Sequence, residues 1–164
     1  MSRAPSTAAT RLLREKGVRY TEHLYRYEER GGTAVSAREL GVPEHAVVKT
    51  LVMEDEEGTP LLVLMHGDRE VSTKALARQL GRKFVEICRP ETASRHTGYL
   101  VGGTSPFGTR KTMPVCLERT VLDLDRVYLN GGSRGFLVGI DPREIVRVLE
   151  PVVVDVAIER AARP

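Results

Sequence analysis

Short strand-like segments alternate irregularly with short helical segments along this chain, and this order restricts the possible folds more than any other sequence feature. Runs of β-branched, aromatic or other apolar residues predict strands at 20–27, 47–53, 61–65, 84–87, 115–117, 126–129, 136–140 and 152–156. Caps, apolar spacing and glycine stops predict helices from a cap at Ser6 or Thr7 to Gly17, over 33–40, from Ser72 through Leu80, as one turn at 92–95, and from Asp141 to Pro151. We therefore expect one mixed α/β domain over residues 1–164, with a curved sheet and helices packed around it.

The composition excludes several classes of protein. The 164 residues are 41% hydrophobic and 29% charged, which is too apolar for a disordered chain. No apolar run approaches the roughly 20 residues needed to cross a bilayer, and the first residues lack the apolar core of a secretory signal. The two cysteines, Cys88 and Cys116, lack CxxC spacing. We expect a cytoplasmic protein without a membrane association, a disulfide framework or a zinc site.

The charge of the chain limits how it could bind nucleic acid. The formal net charge is +3, with a sequence pI near 9.0, so RNA contacts would have to come from local basic patches. Clusters of arginine and lysine such as Arg110 and Lys111 could equally be solvated surface. The absence of Trp and an aromatic content of 5% argue against a long base-stacking platform.

Familiar catalytic motifs are absent from the sequence. There is no phosphate-binding GxxxxGK[ST] loop, no GxGxxG after a strand and no GxSxG nucleophile elbow. The four histidines (His23, His45, His66 and His96) show no metal-ligand spacing, and we expect them and the two cysteines to be structural or surface residues. The sequence therefore predicts no cofactor and no metal.

Lys49 and two glycine-rich segments remain as candidates for chemistry. Lys49 stands in the otherwise apolar strand 47–53, where it could snorkel from an edge or face a cavity that binds an anion. The glycine-rich segments, 97–108 and a predicted loop at 130–135, could supply tight turns or bring backbone N–H groups close to a ligand. Each signal taken alone leaves both interpretations open.

The order of these motifs resembles one family over nearly the whole chain. Lys49-Thr50-Leu51, then the segment from Thr97 to Gly108, then Tyr128 to Gly135 resemble the YbaK family of aminoacyl-tRNA deacylases, most closely its Cys-tRNA(Pro) deacylase branch. The resemblance implies a mixed α/β fold with a partly closed, barrel-like sheet. It also implies an aminoacyl-tRNA acceptor end as partner, prolyl-tRNA synthetase as a second partner, and no DNA.

The resemblance also implies roles for individual residues. Lys49 matches a cleft lysine expected to hold the terminal adenosine or its phosphate, and Tyr25 matches a cleft tyrosine. Gly102 and Gly103 match a loop whose backbone amides hold the aminoacyl carbonyl, so they are expected to be catalytic together with Lys49. The remaining expected substrate-binding residues are Thr50, Thr104, Ser105, Asn130, Gly131 and Gly132.

Two departures from the family pattern bear on the amino acid that is removed. Asn130 stands where relatives often have Ser, and Gly31 and Gly32 stand where relatives carry a Phe. A deacylase for another small amino acid, for example one that acts on Ala-tRNA(Pro), is therefore an alternative to a cysteine-specific deacylase. Two further alternatives are a non-catalytic binder of charged tRNA ends and an interaction domain with a relic pocket.

The lack of a recognisable nucleophile fits the mechanism that the resemblance suggests. A cysteinyl ester carries its own thiol next to the carbonyl, and well-oriented intramolecular reactions reach effective molarities of roughly 10⁵ to 10⁸ M. Such an enzyme would need only to bind the end of the tRNA, orient the cysteine and stabilise the oxyanion.

Overall fold

The computed structural model describes residues 3–161, and the two residues before and three after this range lie outside the description. Within it are five α-helices: α1 (Ala8–Glu15), α2 (Gly32–Leu40), α3 (Thr73–Leu80), α4 (Pro90–Thr97) and α5 (Pro142–Leu149). The same range contains ten strands: β1 (Thr21–Leu24), β2 (Val48–Asp55), β3 (Pro60–His66), β4 (Arg69–Val71), β5 (Val85–Ile87), β6 (Val115–Glu118), β7 (Val127–Ser133), β8 (Phe136–Ile140), β9 (Val152–Val154) and β10 (Ala157–Glu159). None of these helices is long and apolar enough to cross a membrane.

The described strands form three sheets. The largest has the order β5-β2-β3-β6-β9, with β2, β3 and β5 antiparallel and β6 and β9 added in parallel. β1, β8 and β7 form an antiparallel sheet, and β10 pairs with β4. A parallel bridge between Val47 and Tyr128 links the first two sheets. The expected mixed α/β class is confirmed, with separate sheets in place of a closed barrel.

The hairpin of β2 and β3 forms the centre of the structure. β3 is buried on both faces: Leu62 and Leu64 pack in one apolar cluster, and Val63 and Met65 in another. A strand covered on both sides reads as a continuous apolar run, which is why 61–65 shows no polar alternation. In the register of this hairpin, Lys49 lies opposite Met65. The lysine is thus carried by the most firmly packed pair of strands.

The helix starts predicted from caps are confirmed. The Thr7 hydroxyl accepts the N–H of Thr10, which completes a capping box at α1. The Ser72 hydroxyl accepts the N–H of Ala75 at α3, and the Asp141 carboxylate accepts the N–H of Arg143 at α5. Local hydrogen bonding of short polar side chains fixes these starts, so they can be read from sequence.

Several predicted boundaries are wrong. The single turn expected at 92–95 is the eight-residue helix α4, which Pro90 opens at its first position. The loop predicted over 130–135 is strand through Ser133, because an irregularity between Asn130 and Ser133 keeps β7 paired with β8. The short strands β4 and β10 were not predicted, because they pair only with each other.

Candidate functional site

A cleft of about 810 Å³ lies between β2, the beginning of α2 and the two glycine segments. Its volume falls in the range of roughly 300 to 1,000 Å³ that is usual for small-molecule sites. Six of the residues predicted to act on substrate line it: Tyr25, Lys49, Thr50, Gly102, Thr104 and Asn130. The structure thus brings together residues that are far apart in the sequence.

Lys49 supplies a positive charge at this cleft. The side chain is partly buried, and its Nζ lies 3.5 Å from the carbonyl oxygen of Gly67. Burial lowers the pKa of Lys49 from its ordinary value, with Glu70 opposing this effect and Arg160 reinforcing it. A partly desolvated ammonium beside one backbone carbonyl retains donors for an anionic ligand.

Thr50 presents a hydroxyl group without a partner. Its Oγ1 is buried and forms no hydrogen bond within residues 3–161, although the residue lines the cleft. A buried polar group left unpaired costs roughly 1 to 3 kcal/mol, so native proteins seldom keep one without a reason. A ligand in the cleft would supply the missing partner.

Gly102 occupies a position that only glycine fits. Its φ is +89°, and an added Cβ would stand 2.6 Å from the hydroxyl oxygen of Tyr27. Its N–H finds no acceptor among the hydrogen bonds of the described residues. The neighbouring N–H of Gly103 donates to the Leu100 carbonyl at 2.8 Å. Of the two predicted amide donors, the one at Gly102 is therefore unused within residues 3–161, and the one at Gly103 closes a turn.

Asn130 connects the two glycine segments. Its Oδ1 accepts the N–H groups of Gly132 at 2.7 Å and Ser133 at 3.1 Å. Its Nδ2 donates to the carbonyl oxygen of Gly102 at 3.0 Å. The amide thus fixes the bulged end of β7 and the Gly102 loop relative to each other, while one N–H of Nδ2 remains for a ligand.

Four predicted residues lie outside the cleft. Gly103 and Gly132 line a separate pocket of about 260 Å³. Ser105 is fully buried and its hydroxyl accepts the N–H of Phe107. Gly131 lies against the ring of Phe136, which an added Cβ would penetrate. These four residues do not line the cleft, and their contact with substrate stays a prediction.

Several cleft residues could not be predicted from the sequence. Tyr27 stands beneath Gly102, and the guanidinium carbon of Arg134 lies 5.2 Å from the centre of the Tyr27 ring. Arg134 Nε also donates to the carbonyl of Val101 at 3.0 Å. Arg134 lies within the glycine-rich segment 130–135 and Tyr27 two residues after Tyr25, so proximity to recognised residues was the available signal. Arg160 reaches the cleft from far along the chain, which no local pattern reveals.

The first turn of α2 adds a second feature that favours anions. Its N-cap, Gly31, has no side chain that could accept the first N–H groups, and Thr33 and Ala34 of the first turn line the cleft. Unpaired N–H groups and the helix dipole make such a terminus favourable for negative charge. Together with Lys49, it makes one wall of the cleft suitable for a phosphate.

The sequence is similar to one family model and to individual known proteins. A family model described as an aminoacyl-tRNA editing domain matches residues 28–148. The chain is 30% identical over 141 residues to EbsC of Enterococcus faecalis, named as a candidate Cys-tRNA(Pro)/Cys-tRNA(Cys) deacylase, with 85% of this chain and 86% of that protein covered. It is also 34% identical over 95 residues to the proline–tRNA ligase of Nitratidesulfovibrio vulgaris, covering 58% of this chain and 16% of the ligase.

Comparison with solved structures gives the same fold. The crystal structure of the hypothetical protein APE2540 superposes with a TM-score of 0.85 at 27% identity, covering 93% of this chain and 100% of that one. A candidate trans-editing enzyme for prolyl-tRNA synthetase superposes with a TM-score of 0.81 at 24% identity, covering 94% and 99%. At 24% identity, the similarity to this second structure shows a shared fold and nothing more.

Proposed function

The chain belongs to the aminoacyl-tRNA editing domain family, and from this premise we propose that it is a deacylase that removes cysteine from Cys-tRNA(Pro). The observation that carries the proposal is the cleft in which Lys49, the free N–H of Gly102 and the start of α2 meet. We further propose that residues 1–164 act as one editing domain. Because charged tRNA is the proposed substrate, we propose that the protein acts in the cytoplasm, where translation takes place.

The proposal assigns the charged wall of the cleft to the end of the tRNA. The phosphate of the terminal adenosine binds between Lys49 and the first turn of α2. Both are favourable for an anion, one through its ammonium and the other through unpaired backbone N–H groups. Tyr25, which lines the cleft directly after β1, lies against the nucleoside. This contact predicts faster hydrolysis of aminoacyl-tRNA than of free amino acid esters.

The proposal assigns the opposite wall to the aminoacyl group. The N–H of Gly102 donates to the carbonyl oxygen as it becomes an oxyanion, and Asn130 keeps this N–H in place through the Gly102 carbonyl. The unpartnered Thr50 hydroxyl hydrogen-bonds the aminoacyl group. These contacts require no charge on the protein near the reacting carbon.

The nucleophile in this proposal is the thiol of the substrate cysteine. Its sulfur forms a bond to the ester carbonyl carbon, the bond from that carbon to the ribose oxygen breaks, and the thiol proton passes to the ribose oxygen through solvent. Water then opens the resulting cyclic thioester to free cysteine. Cys88, the cysteine that lines the cleft, is a poor alternative, because burial and the neighbouring Glu54 raise the pKa of its thiol to about 12.

The choice of tRNA(Pro) rests on the names of two relatives. EbsC is named for Cys-tRNA(Pro) and Cys-tRNA(Cys), and the second relative is a proline–tRNA ligase. A pocket for proline cannot strongly reject a residue of similar size, so a second site that removes the error has a physical rationale. We propose that prolyl-tRNA synthetase is the source from which this protein receives its substrate.

The test is a panel of tRNAs charged with radiolabelled amino acids, scored for release of the amino acid under multiple turnover. Cys-tRNA(Pro) is expected to be hydrolysed fastest, and Pro-tRNA(Pro) to stay intact. Faster release from Ala-tRNA(Pro) would move the specificity to alanine. Binding without release from any member would leave a non-catalytic binder of charged tRNA ends, and no effect of any tRNA would contradict the proposal altogether.

A further inference from the structure

Three side chains that ligate metals converge beside the cleft, and the proposed reaction uses none of them. They are Glu54 on β2, Cys88 directly after β5 and His96 on α4. One ligand atom from each lies within 4.8 Å of the other two, and Nε2 of His96 is 3.5 Å from Oε2 of Glu54. The N–H of Cys88 donates to the carbonyl of Val52 at 2.9 Å, so the backbone holds this residue against β2.

The Nε2 atom of His96 lies at this cluster without a hydrogen-bond partner, whereas Nδ1 has one in Lys111. The residue is 9% exposed, and its Nε2 is buried and forms no hydrogen bond within residues 3–161. The other ring nitrogen, Nδ1, lies 3.3 Å from Nζ of Lys111. A buried nitrogen between a carboxylate and a thiol, with no partner of its own, is the arrangement expected of a ligand without its metal.

A second cluster shows how a purely structural group of the same residue types differs. His45, His66 and Asp68 also converge. Both ring nitrogens of His66 are hydrogen-bonded, Nδ1 to the His45 carbonyl at 2.7 Å and Nε2 to Thr120 Oγ1 at 2.8 Å. His45 Nδ1 pairs with Asp68 at 2.8 Å. Both ring nitrogens of His66, its potential ligand atoms, are already hydrogen-bonded, so this second cluster needs no metal.

We propose that Glu54, Cys88 and His96 form a binding site for a divalent transition-metal ion of the zinc class. A thiolate, an imidazole and a carboxylate together favour zinc or cobalt over magnesium or calcium, which prefer oxygen ligands alone. Three protein ligands leave a fourth tetrahedral position for water. This inference does not depend on the proposed function.

Binding changes the protonation of the cluster in a defined way. As the metal–sulfur bond forms, the thiol proton of Cys88 leaves to solvent. His96 binds through Nε2 with its proton on Nδ1, so the exposed Lys111 side chain turns away from Nδ1. The bound ion would join α4 to the central sheet. Because α4 ends at Thr97, shortly before Gly102, the ion would also steady the loop that carries the free N–H.

The test uses cobalt(II) as a spectroscopic probe on the full-length protein. Titration is expected to produce a near-ultraviolet thiolate-to-cobalt band and the intense visible bands of tetrahedral cobalt, at one ion per chain, with release of about one proton. Excess zinc should abolish both signals. Cys88→Ser should remove the thiolate band. His96→Gln and the milder Glu54→Gln should weaken binding at least about tenfold, since loss of a second-shell partner alone costs roughly 10- to 100-fold.

Matched controls separate this site from the other candidates. Two variants should leave both cobalt signals intact. Cys116→Ser removes a buried cysteine outside the proposed site, and His45→Gln alters the cluster of His45, His66 and Asp68. Circular dichroism shows whether each variant is folded. The proposal is overturned if the folded wild-type protein gives no thiolate band. It is equally overturned if the band survives in Cys88→Ser, or if His45→Gln removes it.

Discussion

The side-chain amide of Asn130 donates a hydrogen bond of 3.0 Å to the carbonyl oxygen of Gly102, 28 residues earlier in the chain. The same side chain accepts two backbone N–H groups of its own segment, from Gly132 and Ser133. The Asn130 amide thus joins two glycine-rich segments, as does the Arg134 side chain through its hydrogen bond to the Val101 carbonyl. This makes Asn130 a positioning residue for the free N–H of Gly102.

We expect Asn130→Ala to reduce deacylation more than it reduces substrate binding. The substitution leaves the Gly102 carbonyl and two backbone N–H groups without their partner, and each lost bond is worth about 1 kcal/mol. Single-turnover kinetics should show kcat lowered about tenfold or more, with a smaller change in KM. Asn130→Ser, which restores an acceptor of the kind common in relatives, should recover part of the rate. An unchanged kcat in folded Asn130→Ala would contradict the positioning role.

Gly102→Ala is expected to lower activity severely. Its φ of +89° is unfavourable for alanine, and the new Cβ would meet the Tyr27 hydroxyl at 2.6 Å. A displaced oxyanion donor costs roughly 2.7 to 4 kcal/mol, or about 100- to 1,000-fold in kcat. Gly58→Ala is the matched control, because Gly58 has a φ of +73° in an exposed turn with no atom closer than 3.9 Å.

The two variants are compared by kcat/KM and by urea unfolding. Gly58→Ala should lose some stability and keep its activity. If both variants lose the same small amount of activity, strain in the backbone explains the loss, and the Gly102 N–H has no special function.

Lys49→Ala is expected to remove nearly all deacylation while the protein remains folded. A charge-assisted contact to a phosphate is worth roughly 1.5 to 3 kcal/mol, which corresponds to a loss of about ten- to over a hundredfold in kcat/KM. The contact also predicts that binding of the tRNA end weakens more steeply with rising salt in the wild type than in the variant. Lys74→Ala, at an exposed position on α3, is the control and should behave as the wild type.

Lys49 is partly buried, so its removal is checked by circular dichroism and thermal unfolding. A folded Lys49→Ala protein with near-normal kcat/KM would exclude the lysine from the site. The same conclusion would follow if Lys74→Ala lost as much activity as Lys49→Ala.

The stability of the protein should fall in acid because of Glu118. Burial alone raises the pKa of this carboxyl, but hydrogen bonds from the N–H groups of Val156 and Ala157 and from Thr120 outweigh it, and the folded-state pKa lies below its ordinary value of 4.5. A carboxyl with a lowered pKa stabilises the fold above the unfolded-state pKa and loses that contribution as pH falls through the folded-state pKa.

Urea unfolding between pH 7 and pH 3 checks this expectation. The wild type should lose stability below about pH 4.5, near the pKa of an unfolded-state Glu. Glu118→Gln should be less stable at pH 7, by about 1 to 3 kcal/mol, and should show a shallower decline in acid. Glu39→Gln, at an exposed position on α2, should follow the wild-type curve. Parallel curves for wild type and Glu118→Gln would show that other groups cause the acid sensitivity.

The features that the sequence predicted well depend on local chemistry. The helix caps at Thr7, Ser72 and Asp141 could be predicted, because each depends on a hydrogen bond from a backbone N–H a few residues later to a short polar side chain. The strand β3 could be predicted because burial on both faces demands an unbroken apolar run, and β2 could be predicted from its mostly apolar residues. Lys49 was noticed because a charge interrupts such a run.

The features that the sequence missed depend on contacts between distant segments. The strands β4 and β10 exist through their mutual pairing, and Arg160 enters the cleft through an ion pair with Glu44. Cys88 was judged inert because it has no nearby partner in the sequence, yet Glu54 and His96 reach it from other elements. Contact of glycines 103, 131 and 132 with substrate stays a prediction. Their close backbone and side-chain packing shows a structural reason for glycine that a sequence motif does not distinguish from ligand contact.

The last prediction concerns the source of the nucleophile. If the thiol of the substrate attacks, Cys88→Ser and Cys116→Ser should both retain most of the deacylation rate. This agrees with the thiols in the protein, since burial raises the pKa of Cys88 to about 12, with Glu54 adding to it, and burial raises that of Cys116 to about 11. Thiols that are protonated at neutral pH are weak nucleophiles.

The substrate supplies the complementary measurement. Replacing the cysteinyl ester by a seryl or alanyl ester on the same tRNA should slow the reaction strongly, because a hydroxyl is far less ionised than a thiol and a methyl group cannot attack. The rate on the cysteinyl ester should rise with pH toward the pKa of the substrate thiol. Equal rates on cysteinyl and alanyl esters would point to activated water, and Asn130 with the loop at Gly31 would then be tested. A covalent aminoacyl-protein adduct in mass spectra would instead identify a nucleophile in the protein, with Cys88 in the cleft wall as the first residue to examine.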